Sequence, residues 1–288
     1  MARRPRPREG PPLPRDLDAQ LRRALAEDRV ESDRTSEATV PPWHRMSVRI
    51  VAQRSGVLSG SRVAARLARL RGLTVVYRRP DGAQLHAGAV VLRLTGDTRR
   101  LLGTERALLN YLMHLSGVAT ATRAAVRATG GRMDVLATRK TLPGLRDLEK
   151  AAVVHGGGRP HRRDLSEALL LKRPHLRATG LRFAVLAALA AHGGKLPVEV
   201  EVRSLAEARE ALDAGARHLL LDNVGPRGAR AIVSALARER RRRGVVIEAS
   251  GGITRTNVRA YRKSGVDAVS MGSLTHSAPA LPFHLVVE

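Results

Sequence analysis

The stretch VEVEVRSLAEAREALDAGARHLLLDN, Val198 to Asn223, decides the fold. It opens on valine alternating with glutamate, passes into helical spacing over Ser204–Ala214, and ends on the apolar run His218–Asp222. A short apolar run, a helix and a second short apolar run make a βαβ unit with parallel strands. The rhythm continues on both sides. Downstream, Val245–Ala249 and Ala268–Met271 read as strands, with helical patterns over Pro226–Arg240 and Thr254–Lys263. Upstream, Met133–Ala137 and Ala168–Lys172 read as two more strands. This many βα repeats predict an α/β barrel, with its chemistry at the C-terminal ends of the strands.

The strand exits carry an unusual inventory. Thr138, Arg139 and Lys140 follow the first strand; Lys172, Arg173 and His175 end the next. Glu199 and Glu201 share one face of their strand, because strand side chains repeat every two residues. Asp222 and Asn223 follow HLLL, and Glu248 leads into Ser250, Gly251 and Gly252. Met271, Gly272 and His276 close the series. Cations placed directly against apolar runs, at three such exits, point to a site that collects anions.

Each group has a functional and a plainer reading. Ser250-Gly251-Gly252 and Met271-Gly272-Ser273 offer backbone N–H groups that can hold a phosphate; glycine also simply turns chains. Glu201 and Asp222 are candidate ligands for Mg²⁺ or for ribose hydroxyls, or partners of rim arginines. Arg139, Arg162 and Lys172 are candidate carboxylate binders, the guanidinium forks matching a carboxylate bidentately; solvated loop cations are the alternative. His161 reads equally as a structural group. The ten histidines show no HExxH-type metal spacing.

The first hundred residues differ. Helical spacing over 13–30, a strand and turn over Ser47–Gly60, a helix over Ser61–Leu70, and strands over Leu73–Arg78 and Ala89–Gly96 describe a mixed α+β unit. A long helical pattern follows from Arg99, with Leu101, Leu108, Leu112 and Leu115 on one stripe. Gly117 is expected to interrupt it, with a second helix over 119–129. Glu105-Arg106 sits within this apolar pattern, and a domain or subunit interface would account for it.

Composition narrows the function classes. The chain has no cysteine, which excludes disulfides and thiolate nucleophiles. At 43% hydrophobic it can fill a large core, almost without aromatic residues. No run approaches the roughly 18 apolar residues of a membrane span. The N-terminal MARRPRPREG has no apolar core of a secretory signal; a mobile basic arm and a cytoplasmic home are the expectation. The net charge of +25 suggests polyanionic partners. The near absence of aromatic side chains for base stacking favours small anionic substrates over specific nucleic-acid binding.

The segments ERALLNYLMHLSGVATAT, TRKTLPGLRDLEKAAVVHGGGRPHR, VEVEV, LLLDN, EASGGIT and GSLTHSAPALPFHL together resemble the quinolinate phosphoribosyltransferase family. The resemblance covers nearly the whole chain after about residue 15. It implies an N-terminal open α/β sandwich over 1–115 and an incomplete, about seven-stranded α/β barrel over 116–288, whose C-terminal segment returns to the first domain. It implies a homodimer and conversion of quinolinate and phosphoribosyl pyrophosphate (PRPP) to nicotinate mononucleotide, pyrophosphate and CO₂, with Mg²⁺ as cofactor, in NAD biosynthesis. By the same resemblance Arg106 (from the partner), Thr138, Arg139, His161, Arg162 and Lys172 meet quinolinate. Lys140 and Lys172 meet PRPP, Glu201 and Asp222 handle Mg²⁺ and the ribose, and Ser250, Gly251, Gly252, Met271, Gly272 and His276 hold the 5′-phosphate.

One departure stands out. The family usually follows the catalytic lysine with Asp-Asn-His; here Lys172 is followed by Arg173-Pro174-His175. A basic residue replaces an acidic one on the expected active rim. That keeps two other readings in view: a ModD-like homologue acting on another substrate, and a basic, non-catalytic nucleic-acid-binding protein.

Overall fold

The computed structural model of the chain describes residues 11–288; most of the expected basic arm falls on residues 1–10, outside the described residues. The chain forms two compact units, discontinuous in sequence: one of residues up to 123 with 142–157 and 277–288, the other of 124–141 and 158–276.

The first unit holds strands β1 (Arg45–Ala52), β2 (Gly56–Val57), β3 (Thr74–Arg78), β4 (Gln84–Leu85) and β5 (Val90–Asp97). With β12 (Phe283–Val287) they give an antiparallel sheet of order β12-β1-β5-β3 and a separate β2-β4 pair. Helices α1 (Leu17–Glu27), α2 (Arg34–Thr39) and α3 (Ser61–Leu70) belong here, as does most of α4 (Thr98–Thr129). Val48 and Ile50 of β1, Leu92 of β5 and Leu67 of α3 are fully buried, so alternation on the strands and the 3.6-residue stripe on the helix meet in one core.

Gly117 does not break α4, which runs unbroken for 32 residues. The glycine serves an approach instead. A Cβ there would collide with the Pro279 carbonyl oxygen and lie 3.0 Å from Ala280 Cα, and the Leu281 amide donates to the Met113 carbonyl at 3.0 Å. The C-terminal segment therefore crosses α4 at a residue without a side chain. α5 (Arg146–Gly156) carries the fully buried Glu149, which accepts from His114 Nε2 at 2.7 Å and the Leu142 amide at 3.2 Å.

The second unit is built on a parallel six-stranded sheet of order β6-β11-β10-β9-β8-β7. Its strands are β6 (Asp134–Leu136), β7 (Leu169–Leu171), β8 (Val198–Val202), β9 (His218–Asp222), β10 (Val246–Ser250) and β11 (Ala268–Ser270). Helices α6 (Arg173–Thr179), α7 (Leu181–Ala190), α8 (Leu205–Asp213) and α9 (Pro226–Arg238) connect the strands, and the short α10 (Ser273–His276) follows β11. The expected helix over 254–263 is a loop followed by a 3₁₀ segment, Val258–Lys263.

An expected barrel of about seven strands is observed as six strands and one stub. Arg159 forms a single parallel bridge to Leu136 on the open side of β6, donating to the Val135 carbonyl at 2.8 Å and accepting from Ala137 at 3.0 Å. Among the described residues no pairing joins this stub to β7. Arg159 spends its backbone groups on β6, and Pro160 has no N–H to offer the other side.

Candidate active site

Period-two alternation decides what the parallel sheet presents. Val200, Val202, Leu219, Leu221, Ile247, Ala249 and Val269 point to one face and are buried. The opposite parity lines a cavity of about 610 Å³ at the C-terminal strand ends. Thr138, Arg139, Lys140, His161, Arg162, Lys172, Glu201, Asp222, Ser250, Gly251, Gly252, Gly272 and His276 all line it. The chain thus brings together thirteen of the fifteen residues to which the resemblance assigns a substrate role.

Two of them lie elsewhere. Met271 falls between Ser270 and Gly272, so its side chain takes the other parity and is buried at 1% exposure. Arg106 is exposed on α4 and lines a cavity of about 600 Å³ formed wholly by residues of the first unit. Conversely, Leu170, Leu220 and Ser270 line the main cavity without having been expected to, and Glu248, noted at its strand exit but given no role, lines it as well. Stepping back two residues from Lys172, Asp222, Ser250 and Gly272 finds all four.

The cationic wall is Arg139 and Arg162. The Nε atoms of both are buried without a hydrogen-bond partner. Arg162 sends Nη1 to the Ala168 carbonyl at 2.9 Å. Burial and then the neighbouring Arg139 charge hold its guanidinium below the usual arginine range, with Glu199 and Asp164 pulling the other way. Two partly desolvated guanidiniums close enough to repel form a surface that an anion with two charges would relieve.

The acidic side is already engaged. Asp222 Oδ2 accepts from Arg203 Nε at 2.9 Å and Nη2 at 2.5 Å, and Oδ1 accepts from the Asn223 side-chain Nδ2 at 2.9 Å. Arg203 is held above the usual range by that bond and by the Asp222 charge. Glu201 Oε2 accepts from the Arg173 amide at 3.0 Å, and Oε1 lies 3.9 Å from Lys172 Nζ. The plainer reading of these carboxylates, as partners of rim cations, therefore holds alongside their position in the cavity.

The Arg173-Pro174 departure resolves locally. Pro174 sits in the first turn of α6, where its fixed φ suits a helix start. The Arg173 side chain leaves the cavity and grips Glu207 of α8, with Nη2 2.9 Å from each carboxylate oxygen. Only its backbone N–H serves the site, on Glu201.

The glycine turns are specified in detail. Gly251 (φ +93°) and Gly252 (φ +60°) both take left-handed backbone. A Cβ on Gly251 would collide with Asn223 Oδ1 and come 2.8 Å from the Asn223 nitrogen. Asn257 closes this loop by accepting from the Thr254 amide at 2.8 Å and donating to the Gly252 carbonyl at 2.9 Å. At the second turn a Cβ on Gly272 would lie 2.9 Å from Lys140 Cδ and 3.0 Å from His276 Nε2. Thr275 Oγ1 donates to the Lys140 carbonyl at 2.6 Å, tying the Lys140 main chain to this turn.

Comparison with known proteins gives this geometry its family. Residues 33–116 match the quinolinate phosphoribosyl transferase N-terminal domain and residues 118–286 its C-terminal domain. A nicotinate-nucleotide pyrophosphorylase (carboxylating) of Mycobacterium leprae is 39% identical over 271 residues, covering 92% of this chain and 95% of the relative. The NadC structure from Streptococcus pyogenes is 39% identical at TM-score 0.88, covering 96% of this chain and 99% of its own. The nicotinate-nucleotide pyrophosphorylase structure from Francisella tularensis is 31% identical at TM-score 0.89, covering 99% and 100%. The chain belongs to the quinolinate phosphoribosyl transferase family.

Proposed function

We propose that this protein is a carboxylating nicotinate-nucleotide pyrophosphorylase, converting quinolinate and PRPP to nicotinate mononucleotide, pyrophosphate and CO₂ in NAD biosynthesis. The observation that carries the reading is the Arg139–Arg162 pair with its two buried, unpartnered Nε atoms. Quinolinate has two adjacent carboxylates, and two guanidinium forks supply matched charge-assisted donors. The ModD-like reading rested on the departure after Lys172, and there the Arg173 side chain turns to Glu207, out of the cavity.

The residues divide by charge. Lys140, beside the Gly272 turn, faces the pyrophosphate, and Lys172 lies between it and the dicarboxylate. The amides of Ser250, Gly251, Gly252 and Gly272, with His276, receive the 5′-phosphate. The pyridine nitrogen attacks ribose C1 as pyrophosphate leaves, so no protein nucleophile is required. Glu201 and Asp222 stabilise the positive charge that develops on the sugar. The resulting pyridinium accepts the electron pair when the adjacent carboxylate departs as CO₂, and a proton takes its place on the ring. Catalysis on this reading is positioning and electrostatics.

The donor set fits Mg²⁺. Glu201 and Asp222, on neighbouring strands of one cavity, give the one or two carboxylates that Mg²⁺ takes alongside water and substrate oxygens. When bound, the ion supplies positive charge to the departing pyrophosphate. Glu201 and Asp222 would hold the ion, and Asp222 now carries the half-exposed Arg203.

The reading extends to a cytoplasmic homodimer in which Arg106 reaches the dicarboxylate bound by its partner. Mixing and re-annealing inactive Arg106→Ala and Lys140→Ala variants is the test. Random reassortment makes half the dimers mixed, each with one intact site, so about a quarter of wild-type activity returns. No recovery would sink the shared site. Turnover of nicotinate in place of quinolinate would sink the substrate assignment.

A further inference from the structure

At the wall of the cavity lies a cluster whose two glutamates the reaction above leaves unused. Glu199 is 3% exposed and Glu248 fully buried. Two imidazoles flank them. His161 Nε2 is 3.0 Å from Glu199 Oε2 and 3.8 Å from Glu248 Oε2. His218 Nε2 is 3.4 Å from Glu199 Oε1 and 3.7 Å from Glu248 Oε2. Neither Glu248 oxygen has a hydrogen-bond partner. A buried carboxylate without donors is costly unless a positive charge lies close.

His161, Glu199 and Glu248 are close enough to share a metal ion, but one hydrogen bond decides otherwise. The Arg162 backbone N–H donates to His161 Nδ1 at 2.8 Å. A backbone amide can only donate, so Nδ1 presents its lone pair. The imidazole hydrogen is then on Nε2, pointing at Glu199, and Nε2 has no lone pair for a metal. His161 thus links the buried carboxylates to the main chain of Arg162. His218, at the start of β9, faces the same carboxylates from the opposite side, and nothing in the catalytic reading calls for it.

We propose that His218 is a positioning residue for the dicarboxylate end of the site. Its imidazole, within 3.7 Å of both Glu199 and Glu248, holds the carboxylate that orients His161, and through His161 it sets the main chain that aims Arg162. The inference rests on the reading that Arg162 meets quinolinate. His161 then acts as an anchor for Arg162, with both ring nitrogens engaged.

Two measurements test it. In steady state, His218→Leu raises KM for quinolinate about tenfold while kcat and KM for PRPP stay within about twofold. His218→Gln, which keeps an N–H near the Nε2 position, recovers most of that loss. A folded His218→Leu with unchanged KM for quinolinate, or with both KM values and kcat altered alike, overturns the proposal. The second readout needs neither turnover nor a variant that folds. Nitrogen NMR of ¹⁵N-histidine-labelled wild-type protein, without substrate at neutral pH, shows His161 as the Nε2–H tautomer. Finding Nδ1–H there overturns the linkage even if the substrate assignment stands, and finding Nε2–H supports it even if quinolinate is not turned over.

Discussion

Replacing Arg139 with methionine separates function from stability in opposite directions. The side chain keeps its apolar stem, so packing changes little, while one of two repelling guanidiniums disappears. Arg162 is held below its usual range by burial and by Arg139, so the ligand-free protein loses a repulsion. Screened by solvent, that relief is worth about 0.3–1 kcal/mol, which raises the melting temperature by about 1–3 °C for a chain of this size. Quinolinate loses a guanidinium fork. Charge-assisted hydrogen bonds contribute about 1.5–3 kcal/mol each; losing two, with partial compensation by Lys172, costs about 3–4 kcal/mol. That is a fall of about 10²–10³ in kcat/KM for quinolinate, with KM for PRPP little changed. The assays are differential scanning calorimetry without substrates and steady-state kinetics varying each substrate in turn. A melting temperature that drops by several degrees, together with near-normal turnover, would refute the claim that Arg139 is a strained anion receptor.

Three further outcomes follow from particular contacts. Gly251→Ala puts a Cβ on a left-handed residue against Asn223; strain of about 1–3 kcal/mol lowers stability in urea titration and raises KM for PRPP more than for quinolinate. Gly117→Ala improves helix propensity by about 1 kcal/mol yet lowers the melting temperature, because the new methyl meets the Pro279 carbonyl; a rise would show that the C-terminal segment does not cross there. For His218, burial opposes the charge, but Glu248, Glu199 and Asp267 outweigh it and the imidazole is held above the usual histidine range. Its stabilisation is full below the unfolded value of about 6.5 and is lost as pH rises through the folded value. The stability advantage of wild type over His218→Leu, measured in urea at pH 6 and pH 8.5, is therefore larger at pH 6; equal differences at the two pH values would contradict it.

What the sequence disclosed followed from short-range rules. The strands around Val198–Val202 and His218–Asp222 were legible because apolar runs and alternation are local, and they stand where expected. The same parity along the sheet could also have moved Met271 out of the cavity and brought Leu220 and Ser270 in. Other features depended on partners distant in the chain. Gly117 looks like a helix breaker until Pro279 is seen across it. Arg173 looks like a new charge in the site until Glu207 takes it, 34 positions away. Arg203 carries no motif, yet it holds the carboxylate of Asp222. The incomplete closure beyond Arg159 was readable only in part: Pro160 marks where pairing stops, while the single-residue bridge to β6 needs coordinates to be seen.

The central claim is that this cavity couples a dicarboxylate to a phosphoribosyl donor and decarboxylates it. The most direct measurement incubates the purified protein with Mg²⁺, PRPP and quinolinate labelled in the 2-carboxylate, following CO₂, pyrophosphate and nicotinate mononucleotide together. The account predicts the three products in equal amounts, dependent on PRPP, with none from nicotinate. No labelled CO₂ from a folded protein, or mononucleotide made from nicotinate, would contradict it.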